Sequence, residues 1–99
     1  MSETQLVRAC IQYLALKRIF HYRNNSGALK TETGGYVRFG AKGSPDIVVV
    51  VKGQYIGIEC KTEKGKQNPN QKEFQKALER AGGKYLLIRD VQELVLYLC

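Results

Sequence analysis

Leu6, Val7, Cys10, Ile11 and Leu14 recur at intervals of three and four residues, which gives the N-terminal segment one apolar helical face. Ser2-Glu3-Thr4-Gln5 precedes it with an N-cap serine and a glutamine three residues on, a capping-box pattern. The spacing predicts a helix from about Glu3 to Lys17. Ile19–Arg23, rich in β-branched and aromatic residues, predicts a strand. Asn24–Ser44 is broken by Asn-Asn-Ser-Gly, Gly34-Gly35 and Gly40, and reads as a long loop holding one short strand near Tyr36–Phe39. Loops of that length in compact domains tend to carry function. Asp46–Val51 and Gln54–Cys60 have the strongest strand patterns, with Lys52-Gly53 as a tight turn between them.

Thr62–Gln67 is polar and basic, hence a loop. Asn68-Pro69-Asn70-Gln71 then starts a helix, with Asn as N-cap, Pro at the first position and Gln at the third. Phe74, Ala77, Leu78 and Ala81 are expected to form its buried stripe, and Gly82-Gly83 to stop it. Lys84–Ile88 reads as a strand. Asp90 can cap a last helix over Val91–Leu98, although Leu94–Leu98 also reads as a strand. This order predicts an α/β fold in which a small mixed β-sheet is flanked by helices, one domain spanning residues 1–99.

Charge adds a partner class. Sixteen Lys+Arg against nine Asp+Glu leave a formal charge of +7, and residues 1–45 hold most of that surplus. Such an excess attracts polyanions, nucleic acid foremost. The apolar runs Ile47–Val51 and Leu94–Cys99 fall far short of the roughly 18 residues of a membrane span. Met1–Thr4 is polar and slightly acidic, unlike a secretory leader, so a soluble intracellular chain is expected. Three cysteines without a CxxC pair fit reduced thiols, and the single histidine, His21, reads as structural.

The hairpin is where the pattern becomes chemical. With Lys52-Gly53 as the loop, residues whose numbers sum to 105 face each other, and Asp46 and Glu59 do so. Their Cβ atoms would then lie on one face, about 4.5–5.5 Å apart. Alternation puts Lys61 on that same face. A three-residue loop would instead shift the register by one. Opposed like charges destabilise a strand pair, and a divalent cation would offset the repulsion. Gly57, facing Val48, would leave room beside the acids. The plainer alternative is an Asp that starts one strand and an exposed Glu–Lys pair that ends the next. Arg38, Lys42, Lys64 and Lys66 lie in loops around the acids and, with Asn24, Asn25 and Ser26, can contact phosphates; alternatively they are solvated loop charges. Val91, Leu94, Val95, Leu96, Tyr97 and Leu98 make the C-terminus apolar nearly all round, which suits a subunit interface.

Pro45-Asp46 followed by Glu59-Cys60-Lys61 resembles the PD-(D/E)XK nuclease signature. Gly43-Ser44-Pro45-Asp46, Ile58-Glu59-Cys60-Lys61 and Asn70-Gln71, with an N-terminal helix beginning Ser2-Glu3, resemble the virus-type replication-repair nuclease (VRR-NUC) domain over nearly the whole chain. That family includes stand-alone phage proteins and domains of DNA-repair nucleases. The resemblance implies a restriction-endonuclease-like core and a Mg²⁺- or Mn²⁺-dependent DNA endonuclease. Metal would be held by Asp46, Glu59 and the Cys60 backbone carbonyl, with Lys61 as catalytic lysine. Gln71 would support the site, or only complete a capping box. Glu3 would reach the metal or its water, or only favour the helix dipole. Further implications are branched DNA such as four-way junctions as substrate, a homodimer, and the cytoplasm of a bacterium or phage-infected host. The rival readings are a non-catalytic basic nucleic-acid-binding module and a small interaction domain joining through the apolar C-terminus.

Overall fold

The computed structural model describes residues 1–25 and 27–98, with the backbone alone at 27, 28, 38 and 39. Ser26 and the side chain of Arg38, both singled out above, lie outside the described part, as does Cys99, one of the three cysteines. The chain runs α1 (Glu3–Leu16), β1 (His21–Arg23), β2 (Gly27–Lys30), β3 (Tyr36–Phe39) and β4 (Ile47–Val51). It continues with β5 (Gln54–Cys60), α2 (Pro69–Arg80), β6 (Lys84–Ile88) and α3 (Val91–Leu98).

Both expected capping boxes form. Ser2 Oγ accepts from the Gln5 amide at 3.1 Å while Gln5 Oε1 accepts from the Ser2 amide at 2.8 Å. Asn68 and Gln71 make the same reciprocal pair at the start of α2. Helix α1 ends at Lys17, and Arg18 turns the chain at φ 56° so that the Ile19 amide donates to the Leu14 carbonyl. That C-terminal wrap uses Ile19, so β1 begins at His21 and not at Ile19 as the pattern suggested. His21 Nδ1 donates to the Ile19 carbonyl at 2.7 Å, a structural role.

The main sheet has the order β1-β4-β5-β6. Strands β1, β4 and β5 pair antiparallel, while β6 runs parallel to β5 after a crossover through α2. Lys52 (φ 51°) and Gly53 (φ 80°) both turn left-handed, the two-residue hairpin turn that fits a twisted strand pair. The register is therefore the expected one: Ile47 faces Ile58 and Val51 faces Gln54, each pair summing to 105. Between β1 and β4 the expected long loop is a second hairpin, β2 with β3, in which Gly27 faces Phe39 and Lys30 faces Tyr36. Only β3 was legible, because the Gly-Ala-Leu-Lys of β2 has little strand preference and takes its shape from pairing.

Alternation divides the sheet. Ile47, Val49, Ile56, Ile58, Cys60 and Ile88 form one apolar face, covered by Leu6, Val7, Cys10 and Leu14 of α1 and Leu94 of α3. Cys10 and Cys60 are free thiols within that core. The opposite face carries Val48, Gly57, Glu59 and Tyr85, and it is here that the candidate chemistry lies. No helix of the described residues is long and apolar enough to cross a membrane.

Helix α2 departs from expectation. Phe74 and Leu78 are half-buried, whereas Ala77 and Ala81 are exposed, and α2 has no fully buried residue. It packs chiefly beside β6, the terminal strand, so its apolar stripe has only a sheet margin to cover. Its end is well defined: the Gly82 amide donates to Glu79 and the Gly83 amide to Leu78, a Schellman wrap with Gly82 at φ 97°. No neighbour crowds a side chain at Gly82, so the cost of replacing it is purely conformational. Gly82→Ala is expected to destabilise the protein by about 1–2 kcal/mol, read as a lower urea midpoint at unchanged slope.

Candidate active site

Strand β4 starts one residue late because of Pro45. Amides and carbonyls of β5 residues 54, 56 and 58 point at β4, where they pair with residues 51, 49 and 47. The next such pair is Cys60 with Pro45, and a proline has no N–H to give. The Cys60 amide turns instead to Asp46 Oδ2 at 2.8 Å. The Cys60 carbonyl is left without its ladder donor, beside two acids.

Asn24 fixes the same segment from the other side. Its Nδ2 donates to Ser44 Oγ at 2.8 Å and to the Pro45 carbonyl at 2.9 Å, and its amide donates to the Asp46 carbonyl at 2.8 Å. Gly43 lies so close to the α2 N-terminus that any Cβ would collide with the Asn70 backbone, and its φ of 78° favours glycine as well. The space expected above Gly57 is filled: a Cβ there would meet the Pro45 ring at 2.6 Å. Asp46 is thus held by both neighbours of β4 and by a close-packed loop.

Glu59 follows on β5, only 3% exposed. Tyr85, which faces Gly57 across the parallel pair and is 6% exposed, reaches diagonally to donate to Glu59 Oε1 at 3.4 Å. Lys61 Nζ stands 3.9 Å from Glu59 Oε2. Burial is the largest influence on Glu59 and raises its pKa; the charge and hydrogen bonding of Asp46 raise it further. Lys61 and Tyr85 pull it down, yet the result is about 8. Desolvation beats the ion pair here, as expected for a carboxylate taken out of water. Burial also pushes the Tyr85 hydroxyl above its ordinary value, against a hydrogen bond with Gln67 that lowers it. Gln67 Nε2 donates to Gln75 Oε1 at 2.9 Å, and Gln75 Nε2 to Glu79 Oε2 at 3.3 Å, so polar contacts run outward from Glu59 to α2.

Asp46, Glu59, Lys61 and the Cys60 backbone therefore come together as the hairpin register requires. Gln71 Oε1 is spent on the Asn68 amide. Glu3 is exposed in the first turn of α1, and no group of three or more His, Cys, Asp or Glu side chains gathers among the described residues. Lys42, Lys64 and Lys66 are exposed in their loops. Sequence reasoning missed Asn24 as a clamp and Tyr85 as a partner of Glu59. The only signal for Tyr85 was alternation within Lys84–Ile88, which needs the parallel register with β5 before it points anywhere. No protein-family model and no curated protein matches this chain.

The donor set suits a hard cation. Two carboxylates and one carbonyl are all oxygen, and Mg²⁺ typically takes one or two protein carboxylates with water and substrate oxygens completing its shell. A pair with a carbonyl fits that pattern; it does not fit zinc, which takes nitrogen or sulfur ligands in closed sites.

The unfolded chain ionises Glu59 near the ordinary value of about 4.3, whereas the folded chain keeps the proton up to about 8. Between those values the unfolded state binds fewer protons, so stability falls as pH rises. Glu59→Gln is expected to flatten that fall and to be on the order of 1–3 kcal/mol more stable than wild type near pH 8. Thermal unfolding over this range checks it, and added Mn²⁺ should raise the melting temperature of wild type but not of the variant.

Proposed function

We propose that this chain is a divalent-cation-dependent deoxyribonuclease of the PD-(D/E)XK kind, built on a restriction-endonuclease-like core and resembling the VRR-NUC domain. One observation carries the reading: a buried Glu59 beside Asp46, with Lys61 Nζ 3.9 Å away, on a chain of charge +7. Structural roles rarely place an acid where it must hold a proton to about 8.

Asp46, Glu59 and the Cys60 carbonyl would hold Mg²⁺ or Mn²⁺. Bound there, the ion would lower the pKa of water and neutralise charge on a phosphoryl oxygen. Lys61 supplies a fixed positive charge for the phosphate as its negative charge builds in the transition state, and its ammonium can orient the attacking water. Tyr85 keeps Glu59 Oε1 oriented, and Asn24 holds the backbone of Asp46 in place. Lys42, Lys64 and Lys66, with Arg38, would contact phosphates and set register without reading bases. Gln71 and Glu3 have supporting parts in this reading, beyond the capping and dipole roles that their positions already serve.

Branched DNA, such as a four-way junction, is the proposed substrate, acted on by a homodimer. Support for two copies comes from α3, where Leu96 and Tyr97 remain exposed while Leu94 is buried in the protein's own core. Sedimentation at micromolar concentration is expected to give twice the monomer mass, and Leu96→Asp to return it to a monomer.

Cleavage of branched and linear DNAs, with and without Mn²⁺, tests the activity. Asp46→Asn and Lys61→Ala are each expected to lower the rate by about 10²–10³-fold or more with DNA affinity retained. Binding without cleavage by wild type in either metal would instead mark a non-catalytic nucleic-acid-binding module.

A further inference from the structure

Strands β5 and β6 end side by side, and the last ladder bond runs from the Lys61 amide to the Ile88 carbonyl at 3.0 Å. Beyond it the two chains leave the sheet as Lys61 and Arg89. The Lys61 branch folds at once into a turn, in which the Gly65 amide donates to the Thr62 carbonyl at 3.0 Å. That turn bends back over the lysine. A Cβ at Gly65 would lie 3.4 Å from Lys61 Cδ and 3.5 Å from Lys61 Cβ, so the Gly65 backbone covers the aliphatic stem. Lys61 is left 12% exposed.

Arg89 holds this turn closed. Its Nη1 donates to the carbonyls of Thr62 at 2.6 Å, Glu63 at 3.1 Å and Gly65 at 2.8 Å. Three carbonyl dipoles converge on one guanidinium nitrogen, and charge-assisted bonds of this kind are stronger than neutral ones. Arg89 is itself tied down, since its amide donates to Glu93 Oε1 at 3.0 Å in the first turn of α3. Without Arg89 these carbonyls would turn to water, and among the described residues the Gly65–Thr62 bond would be what keeps the segment over Lys61 shut.

We infer that Arg89 is a positioning residue for Lys61: it clamps the Thr62–Gly65 turn over the lysine stem and so aims the ammonium at the carboxylate pair. The inference rests on the nuclease reading for its consequence, though not for the clamp itself. A guanidinium stays charged at all working pH values, so the clamp acts independently of the protonation of Glu59. The turn also carries Lys64, so the same contacts that hold the segment over a candidate catalytic lysine hold the backbone around a candidate phosphate contact.

The test combines kinetics with an acylation readout. In the full-length protein, Arg89→Ala is expected to lower kcat by about 10-fold or more while KM for DNA changes less than about 2-fold. Arg89→Lys, which keeps the charge but not the planar fork, should recover part of that loss. Independently of activity, acetylation of Lys61 by an N-hydroxysuccinimide ester, followed by mass spectrometry, should run several-fold faster in Arg89→Ala than in wild type. Unchanged Lys61 acetylation and unchanged kcat would overturn the clamp, and a loss confined to KM would make Arg89 a phosphate contact instead. If wild type cleaves no DNA, the nuclease reading falls, and the acetylation rates still decide whether Arg89 shields Lys61. Should Arg89→Ala not fold, the same comparisons are made with Arg89→Lys, whose faster acetylation and lower kcat carry the expected result.

Discussion

A carboxylate buried next to another carboxylate is the constraint on which the rest of this structure turns. Glu59 is enclosed by Tyr85, Lys61 and the Asp46 segment, and burial outweighs the nearby ammonium in setting its protonation. A core built for stability alone would do better with an apolar residue there, because a half-compensated buried acid costs more than it returns. The arrangement makes sense as a site that waits for positive charge. In the proposed nuclease that charge is a hard divalent cation together with the lysine, and the phosphodiester brings the opposing negative charge.

Proline supplies the second element of the design. By withholding an N–H at position 45, it ends the β4–β5 ladder one pair early and releases both backbone groups of Cys60. The amide is taken up by Asp46, which orients that carboxylate, and the carbonyl is left facing the same place. Asn24 then replaces the lost strand pairing with bonds to residues 44, 45 and 46. The Pro-Asp pair thus stops the strand and frees the backbone groups that the proposed metal site would use. Arg89 does a similar service at the other end of the site, by closing the turn that follows the lysine.

How much of this could be read beforehand varied with the range of the interaction. The β4–β5 hairpin was legible, because a two-residue Lys-Gly turn fixes register locally and register fixes which side chains share a face. Both capping boxes were legible for the same local reason. Strand β2 was not, since its residues acquire strand geometry only from β3. The burial of α2 was overestimated: a helical stripe says which face is apolar, not how much sheet lies beneath it. Tyr85, Gln67 and Arg89 reach the site through a parallel crossover, whose register no turn announces.

The amino-acid order by itself determined the α/β alternation, the helix boundaries set by Ser2 and Asn68, and the register of the β4–β5 hairpin across a tight turn. Each depends on contacts between residues close in sequence, where backbone geometry leaves few choices. Only the tertiary structure decided that Glu59 is buried deeply enough to retain its proton, that Pro45 fills the space over Gly57, and that Arg89 grips the turn beyond Lys61. Those features depend on solvent exclusion and on segments brought together by the crossover, and neither is encoded in spacing along the chain.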